Sequence, residues 1–246
     1  MEFYGLQTLN EPIRWVVFIR WKFLFGFELE IDDHMMNPHQ GQPLRIVGDL
    51  KRAKAAMIML HGRGATAESI LSLAAEFDQP QFVYLAPQAA QFTWYPNRFM
   101  APIASNEPWL SSALSTVNEA IDRVQATGIP VERTVLLGFS QGACLALEYA
   151  ARNPRAYGGV IGLSGGLIGP DDLIREVLGS FTGTPVFLGC GEVDFHIPKE
   201  RVQHAGNFFK ERGAQVTVRF YPNMDHTVNQ DEIEFVRSLM VRLLSQ

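Results

Sequence analysis

One serine of this sequence lies in a pattern that suits a nucleophilic catalyst. Ser140 is the centre of the segment GFSQG, which follows the apolar run TVLLGF and precedes the helical run QGACLALEYAAR. A sharp turn from strand to helix lifts a serine hydroxyl clear of a sheet, and the strained backbone there needs small flanking residues. The pattern therefore predicts Ser140 as the nucleophile of an acyl-transfer reaction.

A proton acceptor and an orienting carboxylate can be assigned to two later loops. A serine hydroxyl is a weak nucleophile at neutral pH, so a histidine must take its proton and a carboxylate must orient that histidine. Asp194 comes just after the apolar run PVFLGC, and His226 comes just after VTVRFY. This order, serine then acid then histidine, is the one expected after a strand–turn–helix nucleophile. We therefore predict that Ser140, Asp194 and His226 meet at one edge of a sheet.

A second G-x-S-x-G segment, GLSGG around Ser164, competes with the first. It also follows an apolar run, but GGLIGP comes next, and glycines followed by a Gly-Pro break begin a helix poorly. We interpret Ser164 as part of a tight turn at the end of a buried strand.

Other acids and histidines are alternatives to the predicted pair. Glu192 precedes Asp194 by two residues, while Asp225 adjoins the predicted base and should point away from that ring. His196 is too close in sequence to Asp194 to be its partner, so we interpret it as a rim or loop-packing residue. The remaining histidines follow no predicted strand end and are expected to be solvated: His34, His39 and His204.

Two backbone amides are predicted to stabilise the oxyanion of the tetrahedral intermediate. One is the N–H of Gln141, at the positive end of its helix. The other is the N–H of Arg63 in LHGRG, a loop that follows an early strand. The spacing Gly62-x-Gly64-x-x-Ala67 also resembles a dinucleotide fingerprint, but the next strand ends in LAP without the acidic residue that such a site needs. We favour the oxyanion loop.

The elements that must position these residues alternate along the chain, and 246 residues suit one α/β domain. Apolar runs alternate with helical patterns, which predicts a mostly parallel sheet with helices on both faces. The predicted strands are 44–47, 55–60, 82–86, 134–139, 159–164, 185–190 and 215–221. The predicted helices are 67–77, 110–127, 141–152, 199–212 and 231–244.

The longest irregular stretch between these elements is residues 87–108. Long loops in compact domains are often functional, so we predict that it forms a wall of the substrate site. Its Trp94, Tyr95 and Arg98 draw attention, and we expect Trp94 and Tyr95, together with Phe139, to line an acyl or alcohol pocket.

Composition excludes several classes of protein. The 21 Lys and Arg against 26 Asp and Glu give a net charge of -5, so the basic surface that nucleic-acid binding needs is missing. Cys144 and Cys190 cannot form a disulfide framework, which fits the cytoplasm, and we interpret both as small buried apolar residues. Asp32, Asp33 and His34 lack a second cluster with metal-ligand spacing, so no metal and no cofactor is predicted.

The N-terminal segment contains the most apolar and aromatic stretch, residues 15–27. A membrane-spanning helix needs about 20 mostly apolar residues, and this stretch is shorter and interrupted by Arg20 and Lys22. We expect no membrane span, and the acidic residues around the stretch do not fit a secretory signal.

Two interpretations of residues 1–34 remain. The segment is an interfacial or docking segment, or an extension before a start at Met35 or Met36. We favour the extension, and expect residues 1–42 to be that extension and residues 43–246 to form one domain.

Five segments together resemble the phospholipase/carboxylesterase family of α/β-hydrolases: LHGRG, APQAAQFTWYP, GFSQGACLALEYA, GCGEVDFHIP and YPNMDHTV. The resemblance extends over residues 43–246, and the family includes acyl-protein thioesterase-like and bacterial carboxylesterase members. It implies an α/β-hydrolase fold and a Ser-Asp-His site at the predicted positions. It also implies the oxyanion donors named above. The chain departs from the HGLGD-like loop of many relatives at Arg63 and Ala65, a change that keeps a backbone donor and bears on the acyl pocket.

The function implied by this resemblance is hydrolysis of small-molecule carboxylic esters, with lysophospholipids or thioesters as alternative substrates. No long insertion separates Gly166 from Asp194, so we expect no large cap domain and an open site for short or medium acyl chains. A monomer and a homodimer both fit the sequence.

Two other functions stay open. Dienelactone-hydrolase-like enzymes share the fold and order, but their nucleophile is usually cysteine, whereas this chain has Ser140, and Cys144 lies one turn beyond it on the packing side. A catalytically silent fold used as a ligand receptor would have a broken triad, and no member of the predicted triad is missing.

Overall fold

The computed structural model describes residues 37–245 of the chain. The N-terminal segment 1–34, interpreted above as an extension or a docking segment, lies outside this range, as does most of the predicted extension 1–42. None of the helices in the described range is long and apolar enough to cross a bilayer.

Seven strands within residues 37–245 form a single sheet. They are β1 (Leu44–Val47), β2 (Ala55–Leu60), β3 (Phe82–Pro87), β4 (Thr134–Phe139), β5 (Gly159–Leu163), β6 (Pro185–Gly191) and β7 (Gln215–Tyr221). Their order across the sheet is β1-β3-β2-β4-β5-β6-β7. β1 pairs antiparallel with β3, and every other neighbouring pair is parallel. The carboxyl ends of β2 to β7 therefore meet at one edge of the sheet.

Helices follow most of the parallel strands in the described range. They are α1 (Ala67–Phe77), α2 (Trp109–Gln125), α3 (Gln141–Arg152), α4 (Lys199–Glu211) and α5 (Gln230–Leu244). Single 3₁₀ turns occur at Ala90–Phe92, Ile103–Asn106 and Val131–Arg133.

Apolar side chains on both faces of the sheet explain why its central strands have no polar alternation. In β2, Ile58 and Leu60 pack into the layer shared with α2, α3 and α4. Met57 and Met59, on the opposite face, pack with α1 and α5. All six residues of β2 are fully buried. A parallel strand covered on both faces must be apolar throughout, so the continuous run AAMIML folds as a central strand.

The predicted elements are confirmed, with small shifts at their ends. α2 ends at Gln125 rather than at residue 127, because the Gly128 N–H bonds to the Gln125 carbonyl and Gly128 turns the chain at a φ of +91°. β5 ends at Leu163, one residue before Ser164. Between Ser164 and β6 the described chain has no helix or strand, and no cap domain is evident there.

Candidate functional site

Ser140 occupies a strained turn between β4 and α3. Its φ of 56° and ψ of -119° lie in a backbone region that residues other than glycine rarely adopt. Its N–H donates to the Leu163 carbonyl at 2.9 Å. A Cβ atom added at Gly138 would lie 2.2 Å from the Gly142 carbonyl oxygen, and one added at Gly142 would lie 2.1 Å from the Leu60 carbonyl oxygen. Both flanking glycines are therefore required by backbone contacts, which hold the serine at the sheet edge.

Three side chains from three loops form a continuous hydrogen-bonded chain. His226, after β7, has its Nε2 atom 2.7 Å from the Ser140 Oγ atom. Its Nδ1 atom lies 2.7 Å from Oδ2 of Asp194, which follows β6. An ionised carboxylate can only accept, so Nδ1 donates to Asp194 and Nε2 is left to accept from the serine hydroxyl. This tautomer is the one that a proton-accepting base requires.

The Asp194 side chain is fully buried, and four donors surround it. Its Oδ1 atom accepts the backbone N–H groups of His196 at 2.8 Å and Ile197 at 3.0 Å, and its Oδ2 atom accepts from His226 and from the Cys190 thiol at 3.6 Å. Burial alone would raise the pKa of Asp194, but these hydrogen bonds outweigh it and hold the pKa below its usual value. Asp194 is therefore ionised at neutral pH.

The alternative residues on these loops have other contacts. Glu192 is exposed. Asp225 accepts the backbone N–H of His226 at 2.7 Å, not its ring. The ring of His196 lies against that of His226, with 4.8 Å between centroids, which places His196 at the rim of the site. The structure thus brings Asp194, rather than either competing acid, to the histidine ring.

The two predicted oxyanion donors belong to segments that adjoin Ser140. Gln141 is the first residue of α3, and a Cβ atom added at Gly62 would be 3.4 Å from Ser140 Cβ, so the Gly62–Arg63 loop packs on the nucleophile. Within residues 37–245, neither the Arg63 N–H nor the Gln141 N–H has a hydrogen-bond acceptor. Two unpaired amides next to a nucleophile can bind a developing oxyanion.

His61 is a functional candidate that sequence reasoning missed. It is fully buried directly after β2, and its Nε2 atom accepts the Ala89 N–H at 3.1 Å. The ring proton is therefore on Nδ1, which donates to the Gly62 carbonyl at 2.8 Å. Because carbonyl and N–H point in opposite directions in a trans peptide, this bond fixes the direction of the Arg63 N–H. Burial lowers the pKa of His61, which keeps the ring neutral.

Two of the three aromatic residues expected to line a pocket are buried in the core. Trp94 and Tyr95 are 0% and 1% exposed and belong to the core, so neither side chain faces open solvent. Trp94 instead donates its Nε1 hydrogen to the His61 carbonyl at 2.8 Å. Phe139 is half-buried with its ring 4.9 Å from that of His226, so it supports the histidine. The expectation of an aromatic pocket wall is corrected for Trp94 and Tyr95, because packing of the 87–108 segment turns them inward.

His39 was expected to be solvated, and this expectation is wrong. It is 2% exposed, accepts the Ala90 N–H on Nδ1 at 3.0 Å and donates from Nε2 to the Trp94 carbonyl at 2.9 Å. His39 therefore holds the backbone of the 87–108 segment at residues 90 and 94. His204 is exposed, as expected, whereas His34 lies outside the described residues.

Between residues 37 and 245, no three His, Cys, Asp or Glu side chains are grouped so that they could hold a metal ion.

Comparisons with known proteins give the family and fold that this chain resembles. Residues 42–243 match the family described as Phospholipase/Carboxylesterase. Acyl-protein thioesterase 1 of Saccharomyces cerevisiae is 28% identical over 223 residues, covering 82% of this chain and 98% of the relative. A crystal structure of a phospholipase/carboxylesterase from Dyadobacter fermentans is 43% identical, with a TM-score of 0.78 over 81% of this chain and 96% of that one.

A more distant structure agrees in fold alone. The Bacillus cereus carboxylesterase is 18% identical, with a TM-score of 0.66 over 85% of this chain and 97% of that one. Together these likenesses confirm the predicted α/β-hydrolase fold.

Proposed function

The chain belongs to the phospholipase/carboxylesterase family of serine hydrolases, and on that premise we propose that it cleaves carboxylic esters or thioesters by acyl transfer through Ser140. The observation that carries this proposal is the unbroken hydrogen-bonded chain from Ser140 through His226 to Asp194. A nucleophile, a base and an orienting carboxylate in this geometry are what acyl transfer requires.

In the first half-reaction, His226 takes the hydroxyl proton as Ser140 attacks the acyl carbon. Asp194, ionised and held by two backbone amides, stabilises the imidazolium that forms. The imidazolium then returns its proton to the leaving alcohol or thiol, and an acyl-enzyme remains. In the second half-reaction, His226 activates a water molecule that releases the carboxylic acid.

The amides of Arg63 and Gln141 hold the oxyanion in both half-reactions. The loss of one such donor costs about 3 to 4 kcal/mol in serine hydrolases, so the direction of these N–H groups matters as much as a catalytic side chain. The hydrogen bond from His61 to the Gly62 carbonyl supports this role, because it keeps the Arg63 N–H pointing away from the buried ring.

We infer a small-molecule substrate with a short or medium acyl chain. The absence of a helix or strand between Ser164 and β6 supports an open site without a cap. The same nucleophile and oxyanion hole serve esters and thioesters, so both enter the proposal. Cys144 and Cys190 are free and buried, which fits the reducing cytoplasm in which we place the enzyme.

The test is hydrolysis of p-nitrophenyl acetate and butyrate, and of butyryl thiocholine, by wild type and Ser140→Ala. Ser164→Ala is the matched control, because it removes a hydroxyl from a second G-x-S-x-G segment on the neighbouring strand. We expect wild type and Ser164→Ala to turn over and Ser140→Ala to retain only background, with all three folded by circular dichroism.

Equal activity of Ser140→Ala and wild type would refute Ser140 as the nucleophile. Folded wild type that is inert toward every substrate would instead favour the ligand-receptor alternative.

A further inference from the structure

The two residues that supply the proposed oxyanion amides both reach with their side chains to one segment, residues 93–97. The guanidinium of Arg63 donates to three consecutive carbonyls: Nη2 to Tyr95 and Asn97, both at 2.8 Å, and Nη1 to Pro96 at 2.9 Å. A planar fork of N–H donors can satisfy three carbonyls at once, which a single ammonium group cannot do with the same geometry.

The Gln141 side chain also forms hydrogen bonds to residues 93–97. Its Oε1 atom accepts the Trp94 N–H at 3.0 Å, and its Nε2 atom donates to the Tyr95 carbonyl at 2.8 Å. The Tyr95 carbonyl thus accepts from Arg63 and from Gln141. It joins the two residues whose backbone amides are the proposed oxyanion donors.

Two further bonds tie the oxyanion loop to residues 92 and 94. The Gly64 N–H donates to the Phe92 carbonyl at 2.7 Å, and the Trp94 indole donates to the His61 carbonyl at 2.8 Å. Hydrogen bonds therefore hold the backbone on either side of Arg63, and the Arg63 side chain adds a third attachment, to the Tyr95, Pro96 and Asn97 carbonyls. No carboxylate pairs with Arg63 among the residues that the structure describes, so the acceptors of its guanidinium hydrogen bonds there are backbone carbonyls.

We propose that the Arg63 guanidinium is a positioning group that holds the Arg63 and Gln141 amides at a fixed separation through the Tyr95 carbonyl. The proposal rests on the proposed acyl-transfer function. Its physical basis is that an oxyanion hole stabilises charge only when its donors are already aimed, because donors that must reorganise lose much of their effect. Arg63 thus acts through two amides and need not touch the substrate.

The variants are Arg63→Ala and Arg63→Lys, with Arg52→Ala as the matched control. Arg52 is exposed in the turn before β2, and within residues 37–245 its side chain has no hydrogen-bond or ion-pair partner, so its loss removes the same charge without removing a contact to residues 93–97. Rates are expressed per active site titrated with a fluorophosphonate, which excludes unfolded protein from the comparison.

We expect Arg63→Ala to lower kcat by about 10- to 100-fold while KM changes by less than about threefold, because the lost alignment acts on the transition state. Arg63→Lys should retain an intermediate kcat. Addition of millimolar guanidinium chloride should restore part of the kcat of Arg63→Ala, whereas the same concentration of sodium chloride should not. Arg52→Ala should match wild type.

A second readout isolates the oxyanion hole. A boronic acid forms a tetrahedral adduct with the serine, whose oxygen takes the oxyanion position, so Arg63→Ala should weaken its inhibition by about the factor lost in kcat. A non-reactive carboxylic acid product should bind both proteins equally.

Several outcomes would overturn the positioning role of Arg63. Suppose that wild type is active and Ser140→Ala is not. Arg63→Ala with wild-type kcat and wild-type boronate affinity would then overturn the positioning role and leave the proposed function standing. A rise in KM at constant kcat would assign Arg63 to substrate binding instead. Inert wild type would overturn the proposed function together with the positioning role of Arg63.

Discussion

Ser140 and Ser164 occupy matching places on neighbouring strands, yet only one of them has a proton acceptor beside it. Both follow a buried parallel strand, both lie in a G-x-S-x-G segment, and both have a positive φ, 56° and 52°. Ser140 bonds to His226, whereas Ser164 is fully buried and its hydroxyl has no partner among the described residues. A strained serine after a strand is therefore not sufficient for a nucleophile.

The flanking glycines show why the two turns differ. At Ser140, an added Cβ on Gly138 or Gly142 would overlap backbone atoms at little more than 2 Å, because α3 begins at once and lies across β2 and β4. At Ser164, a Cβ on Gly162 would meet the end of the Leu147 side chain at 2.9 Å, and one on Gly166 the Arg201 carbonyl at 3.2 Å. Gly165, directly after Ser164, also packs on α3, with an added Cβ 2.5 Å from Ala143 Cβ, so what distinguishes the first turn is close backbone contact at both flanking glycines. Four substitutions test this comparison.

The largest effect is expected from Asp194→Asn. An amide in place of the carboxylate can donate to Nδ1 of His226, which stabilises the wrong tautomer, and we expect kcat to fall by about 10⁴-fold. Glu192→Gln, on the same loop but exposed, is the control and should stay within about twofold of wild type. Steady-state kinetics on p-nitrophenyl butyrate measure both. A similar loss in both variants would remove the distinction between the two acids.

The second substitution is Gly142→Ala, compared with Gly166→Ala. The methyl group at residue 142 would meet backbone that cannot move aside, and we expect a loss of at least about 4 kcal/mol in the free energy of unfolding. The methyl group at residue 166 needs a shift of a few tenths of an ångström, and we expect a loss of about 1 to 2 kcal/mol. Urea unfolding followed by circular dichroism measures the difference. Equal losses would mean that the two turns are packed alike.

The third prediction concerns Glu232, a fully buried carboxyl that lies against the strand next to Ser164. A Cβ atom at Gly189 would be 2.0 Å from its Oε1 atom, which has no partner among the described residues, and the Gly189 carbonyl accepts the Ser164 N–H. Burial raises the pKa of Glu232 to about 7, with the Asp231 charge adding to the increase and the Asn229 N–H opposing it. Because this folded-state pKa is above the unfolded value, folding is most favoured below the unfolded pKa and is weakened as pH rises toward 7.

Glu232→Gln should remove this dependence while keeping an oxygen for the Asn229 N–H. Relative to wild type, the variant should gain up to about 3 kcal/mol in unfolding free energy between pH 4.5 and 8. Urea unfolding at several pH values measures this gain. A difference between the two proteins that does not change with pH would contradict the raised pKa.

The smallest effect is expected from Ser164→Ala. Its buried hydroxyl has no partner in the described range, so removing it should stabilise the protein by about 1 kcal/mol. The thermal midpoint measures this change. A loss of stability would reveal a hydrogen bond to the Ser164 hydroxyl and would make the two serines more alike than they are described above.

The strands and the loops that carry the proposed site could be predicted from the sequence alone. Runs such as AAMIML and TVLLGF have no polar alternation and are short, which is typical of a parallel strand covered on both faces. Ser140 and Asp194 each follow such a run, His226 follows the alternating strand VTVRFY, and parallel pairing places all three strand ends at one edge.

The inward packing of Trp94, Tyr95 and His39 could not be predicted in this way. Residues 87–108 have no helical or strand periodicity, so their sequence does not indicate which side chains face the core. Hydrogen bonds to distant residues decide it, such as the bond from Trp94 to the carbonyl of His61, 33 positions earlier.

The sequence by itself determined the order of elements, the strained serine turn and the polar residues at the strand ends, because these depend on local spacing and apolar pattern. Only the tertiary structure decided which carboxylate reaches His226 and which serine stays buried. It alone also decided that the side chains of Arg63 and Gln141 meet at the Tyr95 carbonyl. Each of these contacts joins segments far apart in sequence, and its geometry is fixed only when the sheet and its helices pack together.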